Sequence, residues 1–511
     1  MRLATVESGA VFGIDAFSVR IEVHAGGGDF ATVIVGLPDA AVRESKDRVW
    51  TALQNSAFRP HAGRITINLA PADMRKEGPS FDLPIAIGML AATDEIDCTG
   101  RLASFGMIGE LALSGEVRRV RGVLPIVLEM RRAGLSGVLV PVDNADEAAV
   151  VEGINVYPVR TLRQAADFLE GNTSIDPVHH DLDELCRRSR RPAADFFDVK
   201  GQESAKRALE IAVSGGHNIL LIGPPGSGKS MLAKRIASIL PEMTLEEALE
   251  ATRVHSIAGL LDEHQALVLN RPFRSPHHTV SDIGLLGGGA NPMPGEITMA
   301  HRGVLFLDEL PEFSRNALEV LRQPLEDGKV TISRAAGTVT FPCQFMLVAA
   351  MNPCPCGYYG DPGRECRCAP QAILNYRNRI SGPLLDRIDL HVEVPAVRYE
   401  DLAAVPNGET SETVRQRVCA ARARQNHRFH GRKGALCNST MAPADIHSFC
   451  TLGNDAQDLM RLAMNEYRFS ARAYDRILKV ARTIADLDNS ENILVHHLTE
   501  AIQYRTLDRA Q

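Results

Sequence analysis

Eight consecutive residues, Gly223, Pro224, Pro225, Gly226, Ser227, Gly228, Lys229 and Ser230, have the types and spacing of a phosphate cradle. Glycines there let backbone N–H groups close on phosphate oxygens, a lysine at position 229 reaches the β- and γ-phosphates, and a serine at 230 holds Mg²⁺. The apolar run 219–222 before it reads as a buried strand, and 231–237 after it has helical spacing. A second apolar run, 304–307, ends in Asp308 and Glu309. Beside a phosphate loop the first carboxylate suits the Mg²⁺ hydration shell and the second suits the attacking water. A third run, 347–351, carries Asn352 at its tip, where a γ-phosphate can be sensed. Arg387 lies on a turn ahead of the apolar run 390–394, placed for delivery into a neighbour's site. Binding of a nucleoside triphosphate with Mg²⁺, and its hydrolysis, is the chemistry these residues imply.

A different chemistry is suggested by Cys354, Cys356, Cys366 and Cys368. The residues between the pairs are mostly Gly, Tyr, Asp, Pro and Arg, too little apolar bulk for a core, and four thiolates on one Zn²⁺ would fold such a segment. The C-x-C spacing is tighter than the usual C-x₂-C, so free or redox-active thiols are the alternative reading.

Other features are not needed for ATP chemistry. Residues 328–334 and 337–341 alternate as a hairpin with its turn at 335–337, and Lys329 and Arg334 on it are either nucleic-acid contacts or solvated charges. The Gly- and Pro-rich stretch 271–300 looks like an inserted loop, and its His277 and His278 are either a structural pair or metal ligands. From 415 to 433 the chain carries Arg415, Arg417, Arg422, Arg424, Arg428, Arg432 and Lys433 with no acid, interleaved with His427, Phe429 and His430. That pattern suits backbone contact and base stacking on a nucleic acid, or a solvated or inter-subunit helix face.

These residues must be positioned by several domains, and 511 residues predict about three. A hydrophobic share of 45% and a charged share of 23% are those of an ordinary globular protein. With a net charge of −7, nucleic-acid contact would have to come from local basic patches. No basic-then-apolar leader opens the sequence, and the longest apolar runs, such as 83–92, are too short to span a bilayer. Ten cysteines in such a chain fit reduced thiols or a metal in the cytoplasm, with no membrane partner. The expected fold class is α/β. Residues 1–170 form a mixed α/β unit with strands near 19–24, 32–35 and 64–69 and helices at 39–56 and 83–92. Residues 171–195 read as a polar tether, 196–395 as a phosphate-loop core with a parallel sheet and a cysteine-rich insertion at 353–369, and 396–511 as a basic segment and all-α lid.

Two resemblances follow from these motifs. Lys76, Glu77, Gly78, Pro79 and Ser80, with Gly115, Glu116, Val117 and Gly122 downstream, resemble the proteolytic domain of Lon proteases, where a lysine activates the serine. Ser80 falls on the nucleophile position but Leu124 falls where the lysine should be, which implies a Lon-like fold without the peptidase. Ser80 then reads as a helix N-cap. Over nearly its whole length the chain resembles the AAA+ ATPases of the magnesium-chelatase-like branch, which includes the MCM helicases, and within it the ComM/YifB family. The segments that carry this are 215–218, 274–279, 294–297 and the cysteine-bearing stretch, besides the motifs above. The resemblance implies an ATP- and Mg²⁺-dependent homo-oligomeric ring, hexameric in the family pattern, acting on single-stranded or branched DNA. It also implies Asn352 as first sensor, Arg387 as the trans-acting finger, and Arg472 as second sensor facing the nucleotide from the start of a lid helix. A chelatase-type subunit that remodels a partner protein is the alternative, and an ATP-dependent Lon-like protease a third that Leu124 disfavours.

Overall fold

The computed structural model describes residues 3–59, 63–98, 100–187, 194–289, 292–334, 337–361, 363–397, 408–431, 437–505 and 507. Two sheets organise it. The first has seven strands: β1 (Leu3–Phe12), β2 (Asp15–Gly26), β3 (Ala31–Val35), β4 (Arg64–Ala70), β5 (Phe105–Met107), β6 (Gly137–Pro141) and β7 (Asn155–Val159), in the order β3-β4-β2-β1-β5-β6-β7. β1 pairs antiparallel with β2 along all of β1, from Leu3–His24 to Phe12–Asp15, and their alternating buried Val6, Val19, Ile21 and Val23 meet helices α1 (Ala40–Asn55) and α2 (Asp82–Ala92) in one core. Asp39 caps α1 by accepting the Val42 N–H at 2.7 Å.

Ser80 does not cap α2 as expected: a short 3₁₀ turn, Pro79–Phe81, precedes it, and the helix begins after Phe81 without a side-chain cap. The Ser80 carbonyl accepts the Gly109 N–H at 2.9 Å instead. Lys76 is fully buried with its amine on the Pro71 carbonyl. Leu124, in α3 (Val123–Arg132), is buried among apolar neighbours.

The expected tether is partly docked. Val178 N–H donates to the Val156 carbonyl beside β7 at 2.9 Å, and His180 Nε2 stands 2.9 Å from Asp146. The basic residues at 188–191 lie outside the described residues.

The second sheet is wholly parallel, built from β8 (Ile219–Ile222), β9 (Phe273–Arg274), β10 (Val304–Leu307), β13 (Met346–Met351) and β14 (Leu390–Glu393) in the order β9-β10-β13-β8-β14. Its central strands are continuous apolar runs because helices cover both faces. The hairpin β11 (Lys329–Arg334) and β12 (Gly337–Pro342) forms its own two-stranded sheet, with Val330, Ile332, Val339 and Phe341 buried in the core and residues 335 and 336 lying outside the described set.

The two sheet domains are joined by a shared core. Helix α6 (Leu245–Ala258) follows α4 (Glu203–Gly215) and the phosphate-loop helix α5 (Lys229–Ile239), and its Leu245 and Leu249 pack with Ala266 and Leu267 against Val120, Val123 and Val127 of the first domain. The buried Glu147 carboxylate accepts the Ser256 hydroxyl of α6 at 2.5 Å and the Leu124 N–H at 2.9 Å. Burial raises its pKa. The β1–β2 turn reaches farther: Gly13, at φ +66°, lies so close to Val339 of β12 that a Cβ would come within 2.7 Å of it. Arg253 of α6 pairs with Asp15 on the same turn.

A helical lid completes the chain. It comprises α8 (Ser411–Arg428), α9 (Pro443–Phe449), α10 (Asn454–Tyr467), α11 (Ala471–Leu487) and α12 (Val495–Gln503), after the short α7 (Asp282–Leu286) in the core insertion. No described helix is long and apolar enough to cross a membrane.

Candidate nucleotide site

The phosphate loop leaves the carboxyl end of β8 and enters α5 at Lys229. Glycine is required at its first position because a Cβ on Gly223 would stand 2.0 Å from the Val394 carbonyl. Gly226 and Gly228 hold φ of +79° and +92°, and the space their Cβ atoms would fill is open. That is the backbone of an anion cradle ahead of a helix N-terminus. Ser227 Oγ is buried there without a hydrogen-bond partner among the described residues. Lys229 Nζ donates to the carbonyls of Gly223 (2.7 Å) and Pro224 (2.9 Å) and to Asn352 Oδ1 (3.3 Å). Burial lowers its pKa, while Asp308 and Glu309 counter that shift.

β10 and β13 deliver the remaining groups. Ser230 Oγ donates to Asp308 Oδ2 at 2.5 Å, so the two Mg²⁺-holding candidates are in contact. Glu309 follows in a left-handed conformation at φ +52°, its N–H donating to Asp308 Oδ1 at 2.9 Å, and its side chain is exposed. Asn352, one residue beyond β13, meets Lys229 directly. Thus Gly223 to Ser230, Asp308, Glu309 and Asn352, scattered over 130 residues of sequence (223 to 352), converge on one edge of the sheet. The donors present fit a triphosphate with Mg²⁺: open glycine backbone, one ammonium, one hydroxyl and one carboxylate.

Arg387 is elsewhere. It precedes β14, which runs parallel to β8, and its carbonyl accepts the Asn218 side-chain N–H at 2.9 Å where β8 begins. Its guanidinium pairs with Glu326 and donates to the Arg322 carbonyl at 3.1 Å. Arg472 does not face the nucleotide edge of its own chain. It stands 3.6 Å from Asp386 and lines, with Arg387, Glu326 and Arg476, a cleft of about 70 Å³ at the opposite edge. The reason is Arg476, one turn further along α11, which is drawn to the buried Asp389. Burial alone would raise the Asp389 pKa, but Arg476 and His217 hold it well below the carboxylate range.

The four cysteines also converge. Cys354 Sγ lies 3.3 Å from Cys356 Sγ and 3.7 Å from Cys366 Sγ, Cys356 and Cys366 are 3.6 Å apart, and all four sulfurs fall within 4.8 Å of one another. Tetrahedral Zn–S bonds of about 2.3 Å put sulfurs about 3.8 Å apart, so the set fits Zn²⁺. The backbone N–H groups of Tyr358 and Arg367 draw the Cys356 thiol down to about 6. This knot touches the nucleotide site, since Gly357, at φ +88°, lies against Pro225 with room for no side chain.

A second cluster, Asp488, His496 and His497, has no motif that marks it in the sequence. His497 Nδ1 accepts the Leu494 N–H at 3.0 Å, which leaves the proton on Nε2, 3.2 Å from Asp488, and disfavours metal binding. His277 and His278 stack at 4.0 Å and belong to neither described metal-capable cluster.

The basic run is a correction. Arg417 pairs with Glu210 and Glu409, Arg415 with Glu412, and Arg428 with the buried Asp486, while Arg422 donates to the Val213 carbonyl at 3.0 Å. Phe429 is buried edge-on against Phe449. Glu409 and Glu412 just ahead of the run, and Glu210 and Asp486 far from it in sequence, therefore neutralise a helix that looked unopposed, and α8 packs on α4, α5 and α11 as part of the fold. Arg432 and Lys433 lie outside the described residues. On the hairpin, by contrast, Lys329 and Arg334 are both exposed, with Thr331 facing Thr340 and Ser333 facing Thr338 between the strands.

Comparison with known families covers most of the chain. Residues 195–402 match "Magnesium chelatase, subunit ChlI", residues 21–144 match "Subunit ChlI of Mg-chelatase", and residues 408–505 match the C-terminal part of that subunit. The chain is 46% identical to the competence protein ComM of Haemophilus influenzae over 513 residues, covering 100% of this chain and 98% of that protein. It is 44% identical to the uncharacterized protein YifB of Escherichia coli over 511 residues, with the same coverage. The chloroplastic magnesium-chelatase subunit ChlI of Nicotiana tabacum is 25% identical over 259 residues, 45% of this chain and 54% of that one.

Proposed function

The chain belongs to the magnesium-chelatase-like ComM/YifB family of AAA+ ATPases, and on that premise we propose that it is a ring-forming, ATP-driven DNA motor that moves branched recombination intermediates during natural transformation. The observation that carries the motor reading is the separation of Arg387 from Lys229. An arginine at the amino edge of the sheet serves a phosphate at the carboxyl edge only in a neighbouring subunit, so a complete site needs a closed ring of head-to-tail contacts. Six subunits is the size proposed.

In each site Ser230 and Asp308 would hold Mg²⁺, which when bound neutralises charge developing on the phosphates. Lys229 exchanges its carbonyl partners for phosphate oxygens. Asn352, already in contact with Lys229, reports whether the γ-phosphate is present. Glu309 orients the attacking water, and the neighbour's Arg387, with Arg472 beside it, stabilises the transition state. Cys354, Cys356, Cys366 and Cys368 would hold one structural Zn²⁺ that fixes the turn between Asn352 and Pro225. DNA as the track is supported by exposed Lys329 and Arg334 on the outer face of the hairpin and by the full-length likeness to a competence protein.

The test is ATP turnover with no DNA and with single-stranded, duplex and four-way-junction DNA, together with ATP-dependent dissociation of a labelled junction. Stimulation and dissociation are expected. Turnover indifferent to every DNA would favour a chelatase-type subunit that remodels a protein.

A further inference from the structure

At the amino edge of the parallel sheet, one residue stitches three strands together. Asn218 stands immediately ahead of β8, and each of its polar groups has a partner there. Its carbonyl accepts the Asp389 and Leu390 N–H groups at 2.9 and 3.1 Å, and its own N–H donates to Asp389 Oδ2 at 3.0 Å. Its side chain reaches two other segments. Oδ1 accepts the Leu347 N–H of β13 at 2.8 Å, and Nδ2 donates to the Arg387 carbonyl at 2.9 Å. A carboxamide puts an acceptor and a donor on separate atoms of one short side chain, and these two partners fix which way round it sits. The main chain of Arg387 is therefore pinned by Asn218, while its guanidinium rests on Glu326 and the Arg322 carbonyl.

We propose that Asn218 is a positioning residue for the arginine that serves the neighbouring subunit: its side-chain N–H holds the Arg387 main chain where the guanidinium can reach the neighbour's phosphates. This rests on the trans-acting reading of Arg387 given above. A misplacement of about 1 Å at such a group costs about 10²-fold in rate, so one hydrogen bond to its backbone matters. Two substitutions separate the contacts. Asn218→Ala keeps the three backbone hydrogen bonds and removes both side-chain ones. Asn218→Asp keeps the acceptor for the Leu347 N–H and removes only the donor to Arg387.

The experiment measures ATP Kd, kcat and assembly for both full-length variants, alone and in equal mixtures with Lys229→Ala or Arg387→Ala protein. Alone, each should assemble and bind ATP with the parental Kd while kcat falls about 10²-fold. With Lys229→Ala, turnover should recover, since roughly one interface in four joins the intact cradle of an Asn218 variant to the intact arginine of its neighbour. With Arg387→Ala nothing should recover, because neither subunit supplies a well-placed arginine. A brace of the subunit's own site would sort the other way. Parental kcat in Asn218→Asp, recovery with Arg387→Ala, or none with Lys229→Ala would overturn the proposal. So would failure of both variants to assemble, which would make Asn218 a structural tie alone. The mixture of Lys229→Ala with Arg387→Ala separates the two ideas: assembled rings that stay silent there remove the trans reading of Arg387 itself, and recovery leaves it standing whatever Asn218 does.

Discussion

Arg387 and Lys229 stand at opposite ends of one four-residue strand, Ile219–Ile222. A strand of that length spans about 13 Å, beyond a side chain's reach to the phosphates of its own loop. In the proposed ring, the cradle at one end of this strand would meet the arginine held beside the other end of a neighbour's strand.

Within one subunit, Lys229→Ala should abolish nucleotide binding, because the ammonium is the cradle's only described lysine contact. Glu309→Gln should bind ATP normally and stall hydrolysis, since it leaves the cradle and the Ser230–Asp308 pair intact. Equilibrium binding of a fluorescent ATP analogue and steady-state phosphate release separate the two.

The metal content of protein purified without chelators should approach one Zn²⁺ per chain and fall when Cys354 and Cys366 are replaced by Ser. Because Gly357 abuts Pro225, loss of the metal should also weaken nucleotide binding. Elemental analysis together with ATP titration checks both, and metal-free protein that binds ATP normally would remove the site.

Much of this was legible in the sequence, and the exceptions have a common cause. The phosphate loop, the Asp308–Glu309 strand end and the hairpin were readable because each motif is local: apolar period, turn residues and chemistry fall within a dozen positions. Where Arg472 lies was not legible, because Asp386, and Asp389 which holds Arg476 on the same helix, belong to the ATPase core and lie far from α11 in sequence. The basic run misled for the same reason, as Glu210 and Asp486 lie far from α8 in sequence. The strand β1 and the joint of Glu147 to Ser256 left no local signature either.

Arg428 provides the corresponding test. Arg428→Ala removes one of two guanidinium partners of the buried Asp486, leaving Arg482 and the Asn438 amide, and should cost about 2 kcal/mol of stability, read as a lower melting temperature. By contrast, Lys329→Ala and Arg334→Ala should leave melting unchanged and each lower the salt slope of binding to single-stranded DNA by about 0.7.

Glu147 makes the joint between the first domain and α6 sensitive to pH. Burial raises its folded pKa above the unfolded value, so the native state binds more protons in the interval between them. The contribution is fully present below the ordinary glutamate range and is lost as pH rises through the raised folded value. Glu147→Gln should flatten that part of the melting-temperature profile, and an unchanged profile would assign the pH dependence to another group.

The most direct test of the composite site is subunit mixing. Lys229→Ala and Arg387→Ala proteins should each be inactive alone, with Arg387→Ala reduced by up to about 10³–10⁵ if it acts as arginine fingers do. Mixed in equal amounts, roughly one interface in four would pair an intact phosphate loop with an intact arginine, and ATP turnover should reappear. Assembled mixed rings that stay inactive would place the arginine's action in its own chain and contradict the account.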